Sequence, residues 1–129
     1  MNSSSEASIL YLEDEVLVAL DMQDILKDMG FSDVTHASRL SAGEAAFREK
    51  SYDLAILDVN LGDGTTCIGL AHEIAAAGVP VIFTTGYNAS ELPSTLEGAY
   101  VLEKPVSPDR LKRQLAVALD RPASVAEAG

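Results

Sequence analysis

The sequence predicts a doubly wound α/β fold built on a parallel five-stranded sheet, and three observations predict it. Short apolar runs and amphipathic stretches alternate five times along the chain, as successive βαβ units do. The stronger runs are continuously apolar rather than alternating, which suits strands buried on both faces. Several runs also end on a charged or hydroxyl residue followed by a loop. In an open α/β sheet that edge is where ligands bind.

The composition agrees with one domain. The chain has 129 residues and a hydrophobic fraction of 47%, enough for one core with little room for a second. Four tyrosines, three phenylalanines and no tryptophan make that core aliphatic and alanine-rich. The net charge of −11 would be repelled by phosphate backbones and anionic membrane surfaces, so neither nucleic acid nor a membrane is an expected partner. Acidity suits metal cations, although a soluble surface is its commoner meaning. Cys67 is the only cysteine, which rules out an internal disulfide or a thiolate metal cage. The N-terminal Met-Asn-Ser-Ser-Ser-Glu-Ala lacks the features of a signal peptide, and no apolar run approaches a membrane span of about 18 residues. A cytoplasmic location is expected.

Residues 1–7 read as a flexible tail. Ser8–Leu12 is an apolar strand stopped by Glu13-Asp14-Glu15. Val18, Met22, Ile25, Leu26 and Met29 then share one helical face, closed by Gly30. Asp33–His36 is a weaker second strand, and Ser41-x-x-Glu44 has the form of a capping box for a helix running to about Lys50. The third strand, at about Asp53–Leu57, meets Asp58, Asn60 and a loop bracketed by Gly62 and Gly64. A third helix is expected from about Thr65 to Ala77, with Ile68, Ala71, Ile74 and Ala75 inward. Val79–Phe83 is the fourth strand and leads into Thr84-Thr85-Gly86-Tyr87. Only twelve residues separate Gly86 from Ala99, and Pro93 lies among them. Proline costs about 3 kcal/mol inside a helix, so the fourth helix should be shortened or mobile. Ala99–Leu102 is the fifth strand, followed at once by Glu103-Lys104-Pro105. Ser107-Pro108 reads as an N-cap with proline at N1, opening a helix with Leu111, Leu115 and Ala118 inward. The domain therefore spans 8–119, with a second flexible tail at 120–129.

Strands of a parallel sheet all end at one edge. That edge collects Glu13 and Asp14 from the first strand, Asp58 from the third, Thr85 from the fourth and Lys104 from the fifth. Singly, each has a plain structural reading: helix-start acids, a turn-capping aspartate, a turn hydroxyl, a solvated lysine. Two carboxylates about 4 Å apart, however, repel by about 4 kcal/mol at an effective dielectric of 20. Three together call for a hard divalent cation such as Mg²⁺, which takes a few carboxylates plus waters and phosphate oxygens. Asp58 is then placed to act as a nucleophile and form an acyl phosphate. Lys104 would pair with the phosphoryl oxygens, and the Thr85 hydroxyl would donate to one of them.

Ile9-Leu-Tyr-Leu-Glu-Asp-Glu15, Leu57-Asp-Val-Asn60, Val81-Ile-Phe-Thr-Thr-Gly86 and Glu103-Lys-Pro105 together resemble the receiver domain of two-component response regulators, over about residues 8–119. The resemblance implies a flavodoxin-like (βα)5 three-layer sandwich with strand order 2-1-3-4-5. It also implies that Asp58 is the phosphoacceptor, Thr85 the switch hydroxyl and Lys104 the phosphate-pairing lysine. Mg²⁺ would be held by Asp14 and Asp58 directly, by Glu13 through water and by the Asn60 backbone carbonyl. The expected partner is a histidine kinase or a histidine phosphotransfer protein, and the only catalysis implied is the domain's own phosphorylation and dephosphorylation. Phe83-Thr-Thr-Gly-Tyr87 further resembles the FATGUY signature of mostly single-domain receivers associated with HWE/HisKA2-type kinases.

Two positions depart from the family. Val101 stands three residues before the lysine, where most receivers carry Tyr or Phe, and Tyr100 is one place off. Val106 replaces the usual Phe after Lys-Pro. The expectation is therefore a switch in which phosphorylation orders the Gly86–Gly98 segment. Other readings fit less well. Asp63-Gly-Thr65 is similar to the nucleophile loop of haloacid-dehalogenase phosphatases, but Asn60 stands where the second aspartate belongs. Asp58-x-Asn60-x-Gly62-Asp63 lacks the turn glycine and final glutamate of a calcium loop. His36 and His72 are isolated and suit core or surface roles. A phosphorylation-independent scaffold would not need the acidic, lysine and hydroxyl positions together. No output domain is expected after Leu119, which leaves protein–protein contact, phosphorelay or a phosphate sink as the output of a monomer.

Overall fold

The structure, a computed structural model, describes residues 7–62, 64–86 and 100–120. Five strands, β1 (Ser8–Leu12), β2 (Asp33–Ala37), β3 (Leu54–Asp58), β4 (Val81–Thr85) and β5 (Tyr100–Glu103), form one parallel sheet in the order 2-1-3-4-5. The helices among the described residues are α1 (Val16–Asp28), α2 (Leu40–Glu49), α3 (Ile68–Ala76) and α4 (Pro108–Leu119).

Alternation along the strands divides the core into two layers. Ile9, Tyr11, Leu54 and Ile56 face Met22, Leu26, Leu111 and Leu115 of α1 and α4. Leu10, Leu12, Ala55 and Leu57 face Leu70, Ala71 and Ile74 of α3, with Leu40, Ala46 and Phe47 of α2 packed alongside. The three inner strands are buried along their whole length, which is why they read as unbroken apolar runs. β2 lies at the sheet edge and is half-buried over most of its length, so its sequence signal is weaker.

The helix ends differ from the sequence expectation in two places. α2 begins at Leu40 with extended Arg39 as its N-cap and no side-chain cap, so Ser41 lies inside the first turn and forms no capping box. α3 begins at Ile68 rather than near Thr65, because the preceding residues are committed elsewhere. Asn60 and Thr66 form an antiparallel bridge, and the Cys67 N–H donates to the Val59 carbonyl (3.2 Å). The inward face of α3 is Leu70, Ala71 and Ile74, and Ala75 is exposed. α4 follows expectation: the Ser107 Oγ accepts from the Arg110 N–H (3.3 Å), Pro108 opens the helix, and Leu111, Leu115 and Ala118 are buried. The expected fourth helix, between β4 and β5, falls on residues 87–99, outside the described residues. No helix among the described residues is long and apolar enough to cross a membrane.

Gly43 is the one buried residue of α2. A Cβ there would stand 3.3 Å from Leu12 Cδ1 of β1 and 3.4 Å from Leu70 Cδ2 of α3, so a larger side chain would press on both. Gly43→Val is expected to lower stability by about 1–3 kcal/mol through overpacking, read as an earlier midpoint in urea unfolding. An unchanged midpoint would mean that α2 can move away from the sheet without loss.

Candidate functional site

The carboxyl edge of the sheet brings the predicted polar residues together. β3 stays paired one residue beyond its apolar run: Asp58 lies opposite Thr84 of β4, and the Val59 N–H donates to the Thr84 carbonyl (3.0 Å). That continued ladder holds the Asp58 carboxylate in a buried position, 3% exposed. Its Oδ1 accepts from the Asn60 N–H (3.3 Å), and its Oδ2 accepts from Lys104 Nζ (2.9 Å). Lys104 is positioned by β5, with its backbone N–H donating to the Thr85 carbonyl (2.8 Å). The Lys104–Pro105 peptide is cis.

Glu13, at the end of β1, is more deeply buried still, at 1%. Its Oε2 accepts from the Glu15 N–H (3.1 Å). Its Oε1 lies 3.0 Å from Lys104 Nζ as an ion pair. Asp14 stands further out. Carboxylate oxygens of Glu13, Asp14 and Asp58 lie within 4.8 Å of one another. Lys104 is thus the cation that compensates two buried carboxylates at once. A cleft of about 370 Å³ opens above the group, lined by Asp14, Glu15, Asp58, Asn60, Thr85 and Lys104 together with Gly86.

Burial dominates the electrostatics. It pushes the Glu13 carboxyl up to about 7, and the charge of Asp58 adds to this, while Lys104 and the Glu15 amide pull the other way. Burial likewise raises the Asp58 carboxyl against the pull of Lys104. For Lys104 burial favours the neutral amine, but its contacts with Asp58 and Glu13 outweigh burial and raise it overall. The metal-free site is therefore electrostatically costly, as sites poised for a cation or a charged substrate are.

Gly62 is exposed beside Asp14. Its φ is +86°, and a Cβ there would stand 3.5 Å from Asp14 Oδ2. The turn it makes, with the Thr65 N–H donating to the Gly62 carbonyl (2.8 Å), folds the loop after Asp58 back beside the acidic residues. Sequence reading did not single out Glu15, Gly62 or Gly86 as site residues. Glu15 adjoins the acidic pair and Gly86 follows Thr85, so sheet-edge proximity was the signal available for both.

A family model described as the response regulator receiver domain matches residues 9–116. The chain belongs to that family. As a receiver domain it is 30% identical over 114 residues to the phyllosphere-induced regulator PhyR of Methylorubrum extorquens, covering 86% of this chain and 43% of that protein. The chain thus spans less than half the length of that curated relative. Among solved structures, that of SdrG from Sphingomonas melonis Fr1 is 32% identical with a TM-score of 0.79, covering 91% of this chain and 99% of the other. A second SdrG structure, of its BeF3-activated conformation from Pseudomonas melonis Fr1, is 31% identical with a TM-score of 0.76, covering 92% and 99%.

The departures from other receivers also have places in the fold. Val101 is partly buried against the α2/α3 layer, whereas Tyr100 packs on the α1/α4 layer. The one-residue offset has thus put the aromatic ring on the opposite face of β5, as strand alternation requires. Val106 packs against the α1/α4 core.

Proposed function

We propose that this receiver domain, over residues 8–119, accepts a phosphoryl group on Asp58 and passes the signal on by contact with other proteins. One observation carries the reading: a buried strand-end carboxylate held by Lys104 Nζ at 2.9 Å, in a cleft it shares with Asp14 and Thr85 and with the Glu13 carboxylate close beneath it. An Asp58 carboxylate oxygen attacks the phosphorus of a donor phosphohistidine. An O–P bond forms as the N–P bond breaks, and the imidazole leaves with the bonding pair and takes up a proton. Lys104 holds the Asp58 carboxylate before transfer and pairs with the phosphoryl oxygens afterwards. Thr85 supplies a hydroxyl to one of those oxygens as the switch residue.

The donor set suits Mg²⁺, a hard cation with oxygen ligands: three carboxylates converge within 4.8 Å of one another, with the single charge of Lys104 shared between two of them. Asp14 and Asp58 would ligate the ion, with Glu13 through water and the Asn60 carbonyl completing the set. Bound there, Mg²⁺ supplies charge neutralisation for the incoming phosphoryl group. That a relative has been solved in a BeF3-activated conformation supports phosphorylation-dependent signalling. A neighbouring apolar cleft of about 410 Å³, lined by Val18, Met22, Ile25 and Val106, shares Glu15 and Lys104 with the acidic one. It offers contact to a donor protein: a histidine kinase, of HWE/HisKA2 type on the Phe83–Tyr87 signature, or a phosphotransfer protein. Output is relay, phosphate sink or partner binding in the cytoplasm, with catalysis limited to the domain's own phosphorylation and dephosphorylation.

Incubation with Mg²⁺ and acetyl phosphate tests the core of this. Intact mass is expected to rise by one phosphoryl group in the wild type and not in Asp58→Ala. Equal labelling of the two would refute the assignment.

A further inference from the structure

His36 was set aside in the sequence as an isolated core or surface histidine, and its position in the sheet gives it a more specific role. β1 and β2 pair in register, with Tyr11 opposite His36 and Leu12 opposite Ala37. The ladder runs one step further, the Glu13 N–H donating to the Ala37 carbonyl (3.0 Å). Beyond that bond the chain turns away from the sheet towards α1. There the His36 Nε2 lies 2.9 Å from the Glu13 carbonyl oxygen. A carbonyl only accepts, so Nε2 carries the proton and donates. The ring is held in place by Tyr11, whose own ring lies 5.4 Å away, tilted by 39°. Both main-chain polar groups of Glu13 are thus tied to β2, its N–H by main chain and its carbonyl by the imidazole.

We infer that His36 is a positioning residue for the acidic site: its bond to the Glu13 carbonyl fixes the peptide from which the Glu13 and Asp14 side chains diverge. This rests on the reading of the cleft as a Mg²⁺-dependent phosphoacceptor site. The Glu13 carboxylate must thread between Lys104 Nζ and the Glu15 amide, and Asp14 must bring an oxygen within 4.8 Å of it and of Asp58. Rotation about the Glu13–Asp14 peptide would move these carboxylates apart. Partners that orient metal ligands from behind commonly matter about 10- to 100-fold in affinity. His36 acts through the main chain, so its effect belongs at the lower end of that range.

The test compares His36→Leu, which fills space without a donor, with His36→Gln, whose amide nitrogen can donate from a similar distance. Mg²⁺ affinity is measured by calorimetric titration, and folding separately by thermal unfolding in EDTA. His36→Leu is expected to bind Mg²⁺ about tenfold more weakly, while His36→Gln stays within about twofold of the wild type by keeping the donor. Equal affinities in all three proteins, or equal weakening in Leu and Gln, would overturn the inference. Should His36→Leu fail to fold, weakening in folded His36→Gln overturns it and wild-type affinity there supports it. A wild type that binds no Mg²⁺ would overturn the reading of the cleft itself, which separates that failure from this one.

Discussion

Lys104→Met is expected to destabilise the metal-free protein by about 3–5 kcal/mol at pH 8, the cost of breaking a buried ion pair from one side. Methionine keeps the aliphatic stem, so the loss reports the charge rather than the packing. Lys104 Nζ is the cation shared by Asp58 and Glu13, at 2.9 and 3.0 Å, and neither carboxylate side chain is more than 4% exposed. Removing it leaves two facing carboxylates without compensation. Both already have pKa values raised by burial, and loss of the lysine raises them further. A carboxyl raised in the folded state contributes its full stability below the unfolded pKa and loses it as pH rises through the folded one. The variant should therefore approach wild type near pH 5 and diverge from it above pH 7. Urea unfolding at the two pH values checks this. An equal loss at both would show that the amine contributes no net charge compensation. Adding Asp58→Asn should restore much of the loss at pH 8, because the pair is coupled through this one contact.

The sheet was legible because burial on both faces leaves a plain sequence trace. β1, β3 and β4 are unbroken apolar runs for that reason, and the order 2-1-3-4-5 followed from resemblance rather than from periodicity. Helix starts were less legible because they depend on contacts distant in sequence. The Ser41-x-x-Glu44 pattern has the right spacing for a capping box, yet α2 begins at Leu40, a residue that packs against the α2/α3 layer. α3 starts late because Thr66 is already bridged to Asn60, a pairing no local propensity encodes.

At the site, residue types were legible and the second tier was not. Glu13, Asp14, Asp58, Thr85 and Lys104 all lie within two residues of where an apolar run ends, and the parallel sheet makes that position a shared edge. Lys104 bridging both Glu13 and Asp58 required the depth of each side chain. His36 required the β1–β2 register. Given strand order 2-1, it could have been placed beside Tyr11, but its reach to the Glu13 carbonyl is a matter of rotamer. Tyr11 shows the same limit: it reads as a core aromatic, and its hydroxyl is buried without a partner, with its proton held more tightly than usual through burial and the nearby Glu13 charge.

Mg²⁺ affinity is expected to fall as pH drops below about 7, by up to tenfold per pH unit. The cause is Glu13, whose carboxyl burial pushes up to about 7, so that metal and proton compete for one buried group. The same shift acts on the metal-free fold with a defined sign. From an ordinary value of 4.5 to about 7, at about 1.4 kcal/mol per unit, on the order of 3 kcal/mol is present at low pH and lost as pH rises through that window. Metal-free protein should therefore be more stable near pH 5 than near pH 8, and Mg²⁺ should add most at the alkaline end, where the carboxylate is charged and binding is tightest. Calorimetric titration in two buffers of different ionisation enthalpy measures both affinity and the protons released. Release approaching one proton near pH 6, falling towards none at pH 8, is the expected result. Glu13→Gln should flatten the profile and raise the stability of the metal-free protein at pH 8, because it removes the buried charge but keeps the side-chain oxygen that accepts from the Glu15 amide. A wild-type affinity that is level between pH 6 and pH 8 would mean that Glu13 is already ionised in the fold, with Lys104 compensating it fully. The stability difference between pH 5 and pH 8 would then vanish with it, so the two measurements must agree for the buried carboxylate to be the group that couples folding to metal.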